Sequence, residues 1–362
     1  MMMKEVDMIS QAQLLHLAKV KAGTKATWET VAKALGITRG RIKTYLFDPN
    51  TKNYREMPDD VRQKIYEVYD LEDSFITESE TYRPKGNVLS ISTQKGGVGK
   101  TTMAAAIASV FAKKGYRVLI IDMDPQGNLT EQYFPDDGSS YPPEIETELD
   151  GDIFKPGLAH VWNMFFEDKE IYPYPVSKNL SLIGSGLDLA EIQEWELHRV
   201  VNTFKTRLDK LRSRYDLVIL DTLPSFGNLL AAAHASADWL IIPTELARFS
   251  RRGIALQLRT ARNTTKQFNS NMKLLGVVIN KSIFVNRKEK RLNNIQQVYL
   301  ERLEEEFGDY LLKPIVAASS KFVESQAMGE PIDEYSPRSE AAIQINELAF
   351  ELMRQIKIKE VS

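Results

Sequence analysis

The stretch Gln94-Lys95-Gly96-Gly97-Val98-Gly99-Lys100-Thr101-Thr102 restricts the possible folds of this chain more than any other. An apolar run at 88–92 precedes it and an alanine-rich stretch at 101–114 follows, so it reads as strand, glycine-rich turn and helix. That order aims consecutive backbone N–H groups at an anion, and the positive end of the helix adds to their pull. Lys100 is placed to neutralise the β- and γ-phosphates of a nucleotide, and the Thr101 hydroxyl to coordinate Mg²⁺. Gly96, Gly97, Val98, Gly99 and Thr102 complete the cradle. A Mg-ATP site at the start of a helix is the expectation.

The pattern beyond the loop supplies the rest of such a fold. Short continuous apolar runs recur at 88–92, 117–122, 180–184, 217–221, 239–243 and 274–280. Runs without polar alternation suit strands covered on both faces, as in a parallel sheet with helices above and below. Helical stretches are expected at 101–114, 187–213 and 288–307, and an irregular insertion at 135–157. The predicted class is α/β, a mostly parallel twisted sheet flanked by helices, with a small all-α unit in front.

That front unit spans 1–72, a polar linker follows at 73–86, and the α/β domain runs over 87–362. Within 27–46, Ala32 is small where two helices would cross, Gly36 suits a turn needing positive φ, and Ile42 would pack back. This is helix-turn-helix spacing, with Thr38 as the second helix's N-cap. Arg39, Arg41 and Lys43 would face a DNA major groove.

Two departures from the common phosphate loop stand out: Gln94 replaces its first glycine, and Lys95 adds a second lysine. The KGGVGKTT string resembles the deviant phosphate loop of the ParA/MinD family of partitioning and positioning ATPases, and the likeness covers about residues 87–355. The resemblance implies that Lys95 reaches across a homodimer interface to the partner's nucleotide. The segment Asp122-Met123-Asp124-Pro125-Gln126-Gly127-Asn128 looks like the family's D-x-D-P-Q-G-N. It implies that Asp122 holds a water of the Mg²⁺ shell and Asp124 orients the attacking water, since phosphoryl transfer depends on positioning and electrostatics. Asp221, at the end of an apolar strand, is the expected second metal-shell carboxylate, although Leu223 stands where the family has a proline. Asn280 is expected at the adenine edge by the same analogy, and 322–337 is similar to the family's closing segment.

The front unit makes the chain most similar to the larger ParA partition proteins, whose N-terminal domain represses its own operon. The likeness implies a ParB-like, centromere-binding partner that stimulates hydrolysis, weak turnover without it, and non-specific DNA binding by the ATP-bound dimer. Arg287, Lys288, Lys290 and Arg291 are the candidate contacts for that binding, with a second basic group at Arg248, Arg251 and Arg252. Phosphate contacts of this kind weaken steeply with salt. The alternative is a transcriptional repressor in which nucleotide acts mainly as an allosteric ligand.

Composition narrows the field. A formal net charge of −2 says little about partners, so any basic face has to be local. With 0 cysteines, disulfides, thiolate metal sites and an iron–sulfur reductase on this fold are excluded. No secretory signal or membrane span is expected, which predicts a cytoplasmic protein, and the resemblance implies its association with nucleoid DNA. A membrane-positioning role is disfavoured because the amphipathic C-terminal stretch carries Glu347, Glu351 and Glu360 among its lysines.

Overall fold

The computed structural model describes residues 27–46, 55–69, 86–134, 144–150, 153–268, 271–286 and 291–358, with further positions between them, among them Leu14, Leu15, Ala18, Lys19 and Tyr141. Its body is an eight-stranded, mostly parallel sheet. The central strands are β1 (Asn87–Ile91), β2 (Val118–Met123), β7 (Leu217–Thr222), β8 (Trp239–Glu245) and β9 (Lys273–Asn280). Two short strands, β6 (Leu180–Ile183) and β12 (Leu311–Leu312), extend the parallel pairing, and β5 (Tyr174–Ser177) closes one edge antiparallel, giving the order β12-β9-β8-β1-β7-β2-β6-β5. All six apolar runs picked out from the sequence are strands of this sheet, within two residues at each end.

Side chains alternate across the pleat, so each central strand feeds two cores. Leu89, Ile91, Val118, Ile120, Leu217 and Ile219 point to one face, covered by the helices Lys100–Lys113 and Glu340–Ile356. Val88, Leu119, Ile121, Val218 and Leu220 point to the other, covered by Leu197–Leu211 and Asn228–Ser236. The alanines of Lys100–Lys113 let that helix lie close to the sheet, and nearly all of its residues are buried. Ile345, Leu348, Leu352 and Ile356 of the last helix pack in the first core. Among the described residues no helix is long and apolar enough to cross a membrane.

Three sequence expectations change. Residues 187–213 are not one helix: Leu187–Glu194 is a 3₁₀ segment, and the α-helix starts at Leu197. The break arises because Glu196 takes an extended backbone and its carboxylate accepts from the N–H groups of His198 and Arg199 at 2.9 and 2.6 Å. Residues 288–307 are helical only from Asn294. Asn293 caps that helix by accepting from Gln296 N at 2.8 Å, and Arg291–Leu292 before it pairs with Phe284–Asn286 in a hairpin. The expected irregular insertion at 135–157 contains an antiparallel hairpin, Thr147–Asp150 with Ile153–Pro156.

Ahead of the sheet lie the helices Trp28–Leu35, Arg39–Leu46 and Asp59–Tyr69. Thr27 and Thr30 form a reciprocal capping box at the first of them. Gly36 ends it at φ 68°, a left-handed conformation that a β-carbon disfavours. Ala32 and Ile42 are buried at the crossing, and Thr38 Oγ1 accepts from Arg41 N at 3.2 Å. The small core of these helices also takes in Leu158 and Tyr172 of the body. The predicted linker, apart from Gly86, lies outside the described residues.

Candidate nucleotide site

The carboxyl ends of β8, β1, β7 and β2 lie side by side, the place where open α/β sheets hold ligands. Asp221 sits opposite Ile91 on one side and opposite Asp122 on the other, so pairing register alone brings both carboxylates level with the start of the loop. Thr222 Oγ1 donates to the Ile91 carbonyl at 3.0 Å and pins the β7 end to the strand that feeds the loop.

The loop turns at Gly97 (φ 76°) and Gly99 (φ 88°) before the helix begins at Lys100. A β-carbon at Gly99 would stand 2.5 Å from Asn280 Nδ2, so any side chain here is strained by the positive φ and has to displace the Asn280 amide from the loop. Asn280, at the end of β9, donates through Nδ2 to the Val98 carbonyl at 2.8 Å, while the Val98 side chain is buried. The Lys281 ammonium donates to the Gly97 carbonyl. Gln326 Nε2 donates to Thr102 Oγ1 at 2.9 Å from the closing segment. Three groups distant in sequence therefore hold the loop in shape. Asn280 does so by its own side chain, at the place where the sequence suggested contact with an adenine.

The charges at the loop act on one another. Lys100 is 8% exposed, and burial lowers its pKa against the opposing pull of Asp221 and Asp124. Asp122 accepts from Thr130 N at 2.9 Å, from Thr130 Oγ1 at 2.8 Å and from Asp124 N at 3.1 Å. Burial pushes its pKa up to about 7, and those hydrogen bonds oppose the rise. Asp221 is pushed up to about 8, first by burial and next by Asp122, with the Thr101 hydroxyl and Lys100 pulling it down. Neither carboxylate oxygen of Asp221 has a complete hydrogen bond. A buried carboxylate of that kind calls for a cation or its bound water.

Thr101, Asp122 and Asp221 fit Mg²⁺ on these grounds. All are hard oxygen donors, Asp221 is unsatisfied, and Asp122 is locked in orientation. Among the described residues no cluster of three acidic or histidine side chains forms an all-protein metal site. Mg²⁺ at nucleotide sites keeps several waters and takes phosphate oxygens, so such a cluster is not required.

The loop borders a cavity of about 630 Å³ that also meets Asp124, Glu131, Phe134, Tyr141 and Gln326. Lys95 is not on its wall. Its ammonium points toward the end of β8 and meets Glu245 Oε2 at 2.6 Å. Sequence reasoning missed Glu245, Lys281, Gln326, Thr130 and Ser185. The last donates Oγ to the Asp124 carbonyl at 2.9 Å and offers its N–H to Thr130 Oγ1 at 2.9 Å. No motif spacing marks these residues, because Glu245, Lys281 and Ser185 reach the site from three different strand ends, and Thr130 and Gln326 from two separate helices.

The candidate nucleic-acid residues divide. Thr38, Arg39 and Arg41 are exposed together along the helix Arg39–Leu46, and Lys43 is half-buried. Arg291 is exposed in the short hairpin, while Arg287, Lys288 and Lys290 lie outside the described residues. Arg248, Arg251, Arg252 and Arg302 surround a second cavity of about 450 Å³, and Arg251 pairs with Glu306 at 3.1 Å.

Comparison with known proteins agrees with this geometry. Residues 86–274 match the family model described as an AAA domain. An uncharacterized protein of Mycobacterium tuberculosis is 32% identical over 269 residues, covering 74% of this chain and 78% of its own. The chromosome-partitioning ATPase Soj of Thermus thermophilus is 29% identical over 277 residues, covering 76% of this chain and 98% of its own. Among solved structures, the cobyrinic acid a,c-diamide synthase of Mycobacterium smegmatis, with bound ATP analogue and magnesium, superposes with a TM-score of 0.57. It is 25% identical and covers 75% of this chain and 96% of its own.

Proposed function

This chain belongs to the ParA/MinD family of P-loop ATPases, and from that premise we propose that it is a DNA-partition ATPase working as an ATP-dependent dimer. The observation that carries the proposal is the split between the two loop lysines. Lys100 is buried against Asp124 and Asp221 inside the cavity, whereas Lys95 lies outside it on the open face of the sheet ends. A lysine inside the phosphate loop that does not serve its own pocket is placed to serve a second copy's.

In this reading Gly96, Gly97, Val98, Gly99 and Thr102 cradle the phosphates and Lys100 neutralises them. Thr101, Asp122 and Asp221 hold Mg²⁺ through oxygen and water. When bound, the ion supplies charge neutralisation at the phosphates. Asp124 orients water for attack, and Lys95 of the opposing copy completes the site. Asn280 shapes the loop and borders the nucleotide. The partition role is supported by the likeness to the Thermus Soj protein, whose name carries it.

Residues 1–72 are read as an operator-binding helix-turn-helix domain joined through 73–86 to the ATPase domain. Exposed Arg39 and Arg41 on the second helix, with Thr38 at its start, support that reading. Non-specific DNA contact by the dimer falls to the arginines around 248–252 together with the 287–291 cluster. A ParB-like partner stimulates hydrolysis. A repressor in which nucleotide is only an allosteric ligand is the second reading, favoured by the same exposed arginines.

One experiment separates the two. ATP turnover is measured alone, with non-specific DNA and with a ParB-like protein, alongside DNA binding in ATP and ADP at several salt concentrations. ATP-dependent, salt-sensitive DNA binding with stimulated turnover supports the partition ATPase. Specific binding at one site with no turnover, unaltered in Asp124→Ala, transfers the assignment to the repressor.

A further inference from the structure

The N-terminal helices do not merely neighbour the ATPase body; they grip it through a half-buried lysine. Lys19 donates to the Tyr174 hydroxyl at the start of β5. Its ammonium also lies over two rings, 4.7 Å from the centre of Trp28 and 4.6 Å from that of Tyr174. A cation desolvated between two aromatic faces gains from both, beyond the hydrogen bond. Glu144, 1% exposed, faces the same cluster: burial pushes its carboxyl up to about 7, and Lys19, the Trp28 indole and Lys43 pull it back toward the charged form. Two lysines and a tryptophan of the N-terminal helices thus converge on one carboxylate of the insertion.

The same residues are one contact away from the nucleotide cavity. Tyr174 meets Phe134 edge-on at 5.7 Å between centroids, and Phe134 meets Tyr141 edge-on at 5.7 Å. Phe134 and Tyr141 both form cavity wall. Tyr141 is also tied to Glu144 through the chain, because the Pro142 carbonyl accepts from Ile145 N at 2.9 Å and from Glu146 N at 3.0 Å. Two routes, one aromatic and one along the backbone turn, run from the Lys19 anchor to the wall.

We propose that Lys19 is a positioning residue for nucleotide binding: clamped between Trp28 and Tyr174, it makes docking of the N-terminal helices part of what holds the Phe134–Tyr141 wall in place. This rests on reading the cavity as the nucleotide site. Reciprocity then follows, since anything that pulls the helices away lowers nucleotide affinity, and bound nucleotide tightens their docking by the same factor.

The test uses the full chain and a fluorescent ATP analogue, with dissociation followed by stopped flow. Lys19→Met keeps the stem and removes the charge, and is expected to release the analogue roughly fivefold faster, the scale of coupling between groups in contact. Tyr174→Phe, which deletes only a hydroxyl, shifts release the same way by less, and Lys19→Arg restores it. In a double-mutant cycle with Tyr141→Ala the two effects are non-additive, which a general loss of stability would not produce. Unchanged release in Lys19→Met and Tyr174→Phe, or strict additivity with Tyr141→Ala, overturns the proposal. Failure of the unaltered chain to bind the analogue at all overturns the nucleotide assignment instead, and this inference with it.

Discussion

Lys95 and Glu245 join the carboxyl ends of two adjacent parallel strands, β1 and β8, through a single ion pair of 2.6 Å between Nζ and Oε2. The pair is partly exposed, with side chains 44% and 25% accessible, so its own contribution to stability is small. Its consequence is positional, because it folds the loop lysine back onto its own subunit.

Breaking that pair frees Lys95 for another subunit. Glu245→Gln is expected to bring the midpoint of ATP-dependent dimerisation to a protein concentration lower by about two- to fivefold, the scale of one exposed ion pair. Sedimentation with a non-hydrolysable ATP analogue measures it. An unchanged or raised midpoint means the pair does not restrain assembly.

Asn280 holds the loop through the Val98 carbonyl, so Asn280→Ala leaves that buried carbonyl without its side-chain donor. Loss of one such partner costs about 1–3 kcal/mol, and nucleotide affinity is expected to fall by about tenfold. Asn280→Asp should be worse, since a carboxylate oxygen would face the carbonyl oxygen. Calorimetric titration of ATP into each variant gives the answer, and wild-type affinity in both would remove Asn280 from the loop's support.

Gly99→Ala meets both a positive φ of 88° and a contact of 2.5 Å with Asn280 Nδ2. Binding of ATP should be lost while the far-ultraviolet circular dichroism stays near wild type, because the damage is confined to the loop. Retained binding would show that the loop relaxes at no cost.

Thr130 spends its hydroxyl on Asp122 and its lone pair on the Ser185 N–H. Thr130→Val keeps the shape and removes both bonds. The Mg²⁺ concentration giving half-maximal turnover is expected to rise several-fold, with stability lower by about 1–3 kcal/mol. A changed melting temperature with an unchanged Mg²⁺ requirement would limit Thr130 to a structural role.

Arg39→Ala combined with Arg41→Ala removes two exposed charges from the helix Arg39–Leu46. Operator binding should weaken by at least tenfold at moderate salt, while ATP turnover stays within a factor of about two, since neither residue lines the cavity. An equal loss in turnover would argue that these arginines act on the ATPase and not on DNA.

How much of this was readable beforehand follows from the range of the physics involved. The sheet strands were legible because continuous apolar runs bounded by turn residues answer to local burial, and the loop because its glycines and Lys100 are contiguous. Helix ends were misread where a single cap decided them: Glu196 and Asn293 each accept from the N–H groups of the turn just after them, and apolar spacing carries no trace of that. The residues that hold the loop were invisible, because Lys281 and Glu245 reach it only through strand order and register, and Gln326 only through the packing of the helix Ser320–Ala327.

The α/β class, the strand–loop–helix cradle and the family are written in the order of residues, since each rests on neighbours along the chain. The burial of Asp221 level with Asp122, the turn of Lys95 to Glu245 and the clamp of Lys19 against Tyr174 come instead from the folded arrangement. Those are contacts between segments 99, 150 and 155 residues apart, and such pairs form only when the folded sheet and the helices docked on it bring distant parts of the chain together.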